Sequence, residues 1–402
     1  MYRPTIIHGL SLDSGSIDPV KLPSYAVNRS RRASLTTEQR RKLTLLRSNT
    51  VAAPPTPFQK YVVSTDRSGD IHVHVQGDLS QQDKRCVFVT VHDLGTNHSS
   101  MVDYVNCPAM SEIKERSCFI HIDVPGHEEN SPDLPDSYQF PSLQTLGEDL
   151  ITVLDFLHIR YAVGLGEGAG ANVLARCGLA HPRRLLGLIL VNCTASTSSV
   201  ADAFRTRFSR WKGTDISQSE EDFLIYHKFG HVSLETEPAF FRYQQISMEG
   251  GDAMERERML SEYRSRLRGN LNTHNIKLYV KAFINRKDLV LKGCQPDILL
   301  ITGTLSPYSA VVEKMYKEME HKERVTILKV ERVGDVLAEA PAKVSQSLLL
   351  FCQGQGLLTS LPPPGVERRM SRAMSMEEYD KPNIRRLSLT PSASESPPAR
   401  KV

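Results

Sequence analysis

Short, nearly unbroken apolar runs recur through the middle of the chain, at residues 86–91, 119–123, 161–166, 186–192 and 298–303. Most are too short for an ordinary helix, and each gives way to helical spacing or a turn signal. Strands that read as continuous apolar runs are buried on both faces, the pattern of a parallel sheet covered by helices. Helical spacing is clearest at Leu143, Leu146, Leu150, Val153, Leu154 and Leu157. Further helices are expected at 308–321 and 340–352, with a strand at 324–330. Ahead of this pattern, 61–63 and 71–75 read as two strands joined through Ser68-Gly69-Asp70. That hairpin signal suggests an antiparallel edge. The fold class is therefore α/β, a mostly parallel central sheet with helices on both faces.

The alternation breaks over 194–292, where helical patterns are expected at 201–211, 221–229, 238–248 and 271–283. An insertion of that size between two core strands reads as a helical cap. The expected organisation is a tail at 1–56, a core at 57–193 and 293–356, a cap at 194–292 and a second tail at 357–402. The net charge of +4 hides a division along these lines. Residues 1–56 carry 9 Lys/Arg against 3 Asp/Glu, and 362–402 carry 8 against 5. The tails thus sum to +9, and the region between them is about −5. Their Ser, Thr, Pro and Arg content marks them as disordered.

Several classes are disfavoured. The near-neutral total and the 7% aromatic content give no reason to expect nucleic-acid binding. No apolar run approaches the roughly 18 residues of a membrane span. No apolar run follows Met1-Tyr2-Arg3-Pro4, so a secretory signal is not expected. Seven scattered cysteines, with no CxxC pair, fit a reducing, cytoplasmic setting.

The most informative segment is Gly164-Leu165-Gly166-Glu167-Gly168-Ala169-Gly170-Ala171. One reading is a dinucleotide fingerprint, but it follows earlier core strands, and the next strand ends in Asn192 rather than an acid. Another is a nucleophile elbow, G-x-S-x-G, with glycine where the nucleophile belongs. Glycine has no side chain and cannot attack a carbonyl. A third is purely structural: a close strand-to-helix turn that needs small residues. The last two combine into an elbow without a nucleophile. In the α/β-hydrolase order the acid is then expected at Ser306 and the histidine at Asp335. Neither residue suits its role, and no histidine follows His321. Gly168, Ser306 and Asp335 together argue against triad hydrolysis.

A family resemblance rests on specific residues. His92-Asp93-Leu94-Gly95-Thr96-Asn97-His98 resembles the HD-hydrophobic-G-x-NH signature of the N-myc downstream-regulated (NDRG) family. Asp123-Val124-Pro125-Gly126-His127, Tyr138-Gln139-Phe140-Pro141-Ser142, Gly164 to Ala171, Asn285-Arg286-Lys287-Asp288-Leu289 and Gly303 to Pro307 resemble further segments of it, in order. The resemblance implies an α/β-hydrolase fold with a helical cap, no working triad and no cofactor. It also implies an intracellular protein of signalling, stress response and differentiation, with a C-terminal tail phosphorylated by basophilic kinases. This chain lacks the tandem decapeptide repeat of some members and has Gly334-Asp335 in place of the usual Gly-Gly.

Asp93 and Asp123 end two parallel strands beside the elbow, at the sheet edge where ligands bind. A vestigial pocket bounded by His92, Asp93, Leu94, Gly168 and Ala169 is therefore expected, with the Leu94 and Ala169 amides as oxyanion-hole donors. The alternative is that Asp93 caps the next turn and the cap fills the space. A relocated nucleophile, Cys193 or Ser99, would make the chain a hydrolase after all. His72 and His74 share one strand face, but no third metal ligand is identifiable, so they read as exposed histidines and no metal is expected.

The tails carry Arg31-Arg32-Ala33-Ser34, Arg368-Arg369-Met370-Ser371, Arg372-Ala373-Met374-Ser375 and Arg385-Arg386-Leu387-Ser388. Arginine two or three residues before a hydroxyl suits the acidic grooves of basophilic Ser/Thr kinases. The basic clusters also suggest weak contact with anionic lipid and a peripheral place at membranes. Protein partners are expected.

Overall fold

The computed structural model describes residues 58–196, 215–230 and 250–362, with side chains from residue 254 onward in the last segment. Ser34, Ser371, Ser375 and Ser388 lie outside the described residues, as do the helices expected at 201–211 and 238–248.

Strands β1 (Gln59–Thr65) and β2 (Gly69–Gln76) form the expected hairpin. They are followed by β3 (Cys86–Val91), α1 (His98–Asn106), α2 (Ser111–Glu115) and β4 (Ser117–Asp123). Next come α3 (Leu143–Phe156), β5 (Ala162–Glu167), α4 (Gly168–Ala180) and β6 (Leu185–Val191). Helices α5 (Gln218–Phe229), α6 (Gly250–Gly269) and α7 (Thr273–Ile284) precede β7 (Asp297–Gly303). The chain continues through α8 (Ser309–Glu318), β8 (Val325–Val330), α9 (Val336–Glu339) and α10 (Pro341–Gly354).

The eight strands form one sheet in the order β1-β2-β4-β3-β5-β6-β7-β8. β2 pairs antiparallel with both β1 and β4, and the other pairings are parallel. The period-2 alternation of a strand divides its side chains between two cores. Val87, Val89 and Val91 of β3 join one face with Ile120, Leu188 and the apolar sides of α3 and α4. Phe88, Phe119 and Ile189 join the other, under α1 and α10. Burial on both faces is why the central strands are apolar throughout.

Capping explains where helices begin and end. Helix α5 starts three residues before the expected 221 because Ser217 and Glu220 form a reciprocal capping box. Helix α7 starts at Thr273 because the Asn272 side chain accepts the Asn275 amide. Helix α8 stops short of the expected 321 because Met319 takes extended backbone.

The parallel register brings Val91 level with Ile122 and Gly166. Asp93, Asp123 and Glu167 therefore emerge together at one edge of the sheet. Close contact between α4 and β3 fixes that edge: a Cβ on Gly170 would collide with the backbone carbonyl oxygens of Val91 and His92. Gly170→Ala gains about 1 kcal/mol of helix propensity, but backbone cannot yield as a side-chain tip can, and overpacking costs about 1–3 kcal/mol or more. The variant is expected to be net destabilised by at least about 1 kcal/mol. Chemical denaturation checks this, and an unchanged or raised midpoint would show the packing to be looser than described.

Candidate functional site

Strand β5 ends at Glu167 and helix α4 begins at Gly168, whose φ of +51° is left-handed. This is the geometry of a nucleophile elbow, but the space a side chain would fill is taken. A Cβ on Gly168 would fall on the carboxylate of Asp93. Asp93 Oδ1 accepts the backbone N–H of Ala169 at 2.8 Å. The amide expected to donate into an oxyanion hole thus serves the protein's own carboxylate.

The second oxygen, Oδ2, accepts from His227 Nε2 at 2.8 Å. On the other side of that ring, Nδ1 is hydrogen-bonded to the Tyr308 hydroxyl. Burial raises the Tyr308 hydroxyl well above its ordinary range, so it stays protonated and can donate. Burial also works against the Asp93 charge, but His227 and the Ala169 amide outweigh it and bring the carboxyl down to about 2. Tyr308, His227 and Asp93 form a relay ending in a carboxylate, placed where a triad would have its nucleophile.

The next residue of α5 makes a second anchor. Lys228 Nζ contacts both Glu167 oxygens at 2.8 and 2.9 Å and Asp335 Oδ2 at 3.0 Å. Burial alone would lower the Lys228 ammonium, but Asp335 and Glu167 raise it, so it stays charged. Three carboxylates near one ammonium leave Glu167 with a raised pKa, chiefly through burial and despite Lys228. Asp335 also caps α9, accepting from Leu337 and Ala338 amides. Ser306 donates to Asn192 Oδ1 at 3.1 Å.

The expected vestigial pocket does not open. His92, Asp93, Leu94, Gly168 and Ala169 are all buried. His92 Nε2 accepts the Val124 amide and its Nδ1 bonds the Asp93 carbonyl. The reason is the Asp93 carboxylate itself, rather than the cap alone. A cavity of about 590 Å³ lies to one side, bordered by Gly95, Lys228, Asp335 and the buried hydroxyls of Tyr104 and Tyr263, which have no hydrogen-bond partner among the described residues. None of the five expected residues lines it.

The relocated nucleophiles fare no better. Burial pushes the Cys193 thiol up to about 12, so it is protonated at neutral pH. Ser99 Oγ donates to Glu129 Oε1 at 3.1 Å rather than to an imidazole. Of the two strand histidines, His72 is partly exposed, and His74 needs correction. His74 is 5% exposed because β2 is sandwiched between β1 and β4. It bonds Asp123 Oδ2 at 3.0 Å, and His98 Nδ1 bonds the same oxygen at 2.7 Å. The other two members of that group, His98 and Asp123, lie in the Asn97-His98 and Asp123-Val124-Pro125 motifs. His227 and Lys228 carried no signal of their own.

Residues 61–359 match the Ndr family. An uncharacterized protein of Caenorhabditis elegans, ZK1073.1, is 37% identical over 339 residues, covering 83% of this chain and 95% of that one. Protein NDRG3 of Xenopus laevis is 28% identical, covering 76% and 78%. Among solved structures, an esterase of Thermogutta terrifontis aligns at a TM-score of 0.56 and 14% identity over 74% of this chain and 98% of that one. A hydrolase of Pseudomonas aeruginosa aligns at 0.51 and 17% identity over 73% and 98%. These likenesses show an α/β-hydrolase fold.

Two expectations follow from the geometry. Gly168→Ser places a side chain against Asp93 at a left-handed φ, at a cost of about 3 kcal/mol or more once the buried pair is disturbed. The single variant is expected to lose stability without gaining esterase activity. Asp93→Gly clears the space but also removes the partner of His227, so Gly168→Ser should cost less stability in the Asp93→Gly background than in the wild type, which a double-mutant cycle of unfolding curves measures; an equal cost in both would refute the steric account.

The second concerns acid. Burial, above all, lowers His92, and it brings His121 and His127 from 6.5 to about 3. Below pH 6.5 the unfolded chain binds these protons and the folded one does not, so stability falls with pH. Raised Glu167 opposes this down to its ordinary 4.5, below which Asp93, ordinarily at 3.8, adds to the loss. The melting temperature should therefore drop most steeply between about pH 4.5 and 3. A flat profile there would contradict the buried neutral imidazoles.

Proposed function

The chain belongs to the Ndr family, and from that premise we propose that it works without covalent catalysis, as an interaction protein of intracellular signalling, stress response and differentiation. One observation carries this reading: a carboxylate fills the nucleophile's place and occupies the Ala169 amide. An elbow closed in this way has no attacking atom, and one of its two expected oxyanion donors, the Ala169 amide, is already engaged. What remains useful is the rigid surface of the α/β frame and cap. Among the described residues no helix is long and apolar enough to cross a membrane. A cytoplasmic protein, peripheral at anionic membranes through its basic tails, fits that composition.

Regulation is assigned to the tails. Four phosphates, on Ser34, Ser371, Ser375 and Ser388, would add roughly −6 to −8 against the +9 of the tails. Basophilic kinases would thereby switch protein and lipid partners through charge.

Fluorophosphonate and iodoacetamide labelling, with native and heat-denatured protein compared, tests the non-catalytic reading. The expected result is no labelling that heat abolishes. Fold-dependent labelling of any serine or cysteine would establish a relocated nucleophile instead.

A further inference from the structure

Asp123 ends β4 fully buried, and imidazoles are its only recorded ion-pair partners among the described residues. Three elements converge on it. β2 brings His74, which is 6% exposed in its side chain, and the start of α1 brings His98, at 13%. The two rings lie face to face, with centroids 3.5 Å apart and planes 8° from parallel. Both direct one nitrogen at the same oxygen, Asp123 Oδ2. The other oxygen, Oδ1, accepts the His98 backbone amide at 2.6 Å, which fixes the orientation of the carboxylate.

We propose that His74 Nε2, His98 Nδ1 and Asp123 Oδ2 form a binding site for one divalent transition-metal ion, with zinc the best match. Two imidazole nitrogens and one carboxylate oxygen are a donor set that zinc favours, and three protein ligands leave a fourth position for water. The three ligand atoms lie within 4.8 Å of one another, and no other His/Cys/Asp/Glu trio among the described residues converges as closely. Zinc bonds of about 2.0–2.2 Å set ligand atoms about 3.3 Å apart in a tetrahedron. The present separations of 3.0 and 2.7 Å from Oδ2 require an opening of roughly half an ångström, and because each nitrogen lone pair lies in its ring plane, the stacked rings must also turn out of parallel to share one ion. His98 supplies that movement, since it is the most exposed of the three and sits at a helix start.

The proton balance is simple. Each neutral imidazole frees its inward nitrogen by carrying its proton on the other one; a protonated imidazole releases a proton to solvent. The ion then gives the buried carboxylate a positive charge that no lysine or arginine among the described residues provides. His121, although adjacent, is not a ligand, because Thr90 and Gln76 engage its two nitrogens.

The test uses the full chain without an affinity tag, titrated with ZnCl₂ by calorimetry and with CoCl₂ by visible absorption. One equivalent is expected to bind. His74→Gln and His98→Gln should each weaken binding at least tenfold, and together abolish it, while His321→Gln at an exposed surface site leaves it unchanged. Circular dichroism confirms that each variant is folded. Should a variant fail to fold, X-ray absorption of the zinc-loaded wild type decides, with two imidazole nitrogens and oxygen expected in the coordination shell. Absence of stoichiometric uptake, full binding by the folded double variant, or a shell lacking two imidazoles would each overturn the site.

Discussion

The contact between the Asp93 carboxylate and the elbow organises the edge of the sheet. A buried carboxylate is tolerated only where its charge is met. Here the Ala169 amide meets one oxygen and His227 meets the other. Gly168 must then be glycine for two reasons, a left-handed φ and the absence of room for a Cβ. His227 must also reach the core from α5, which brings Lys228 with it to Glu167 and Asp335. Two consecutive residues of one helix thus anchor it to carboxylates from three separate loops and strand ends. Buried ion pairs contribute little net stability against a well-packed apolar alternative, but breaking one costs several kcal/mol. Their effect is to specify where α5 sits.

This arrangement also changes what the vacant triad positions mean. Asp335 stands where the histidine was expected, yet it binds Lys228 and caps α9. Ser306 stands in the acid position and bonds Asn192, which also receives Thr302 at 2.9 Å. Each position has been given other structural work. Restoring one catalytic side chain therefore disturbs a satisfied network, and polar networks of this kind are held together by all their members.

The strands, the hairpin edge and the elbow were legible because they are local patterns: apolar runs, a turn signal and glycines at fixed spacing. The three mismatched triad residues were legible because chain order predicts their positions. The use made of Asp93 was not, since its partner His227 lies 134 residues away and no local pattern marks a histidine as buried. His74 was misread for a related reason. Alternation along β2 shows that His72 and His74 share a face, but only the pairing of β2 with β4 shows that His74 is covered and lies beside Asp123.

Asp93 and Asp123 are a natural comparison, since both end parallel strands and both are met by imidazole. Asp93 has a backbone amide on one oxygen and a fully buried ring on the other, backed by a tyrosine hydroxyl. Asp93 is buried, and both of its oxygens are engaged by groups among the described residues. Asp123 also has one oxygen fixed by an amide, but its second faces two parallel rings, one of them partly open to solvent. That oxygen can accept a proton from each ring, and the same two nitrogens can instead turn to a cation. The same chemical motif therefore closes one site and leaves the other able to accept a ligand, and the difference lies in whether the imidazole comes from a buried face of the α5 helix or from a half-buried helix start.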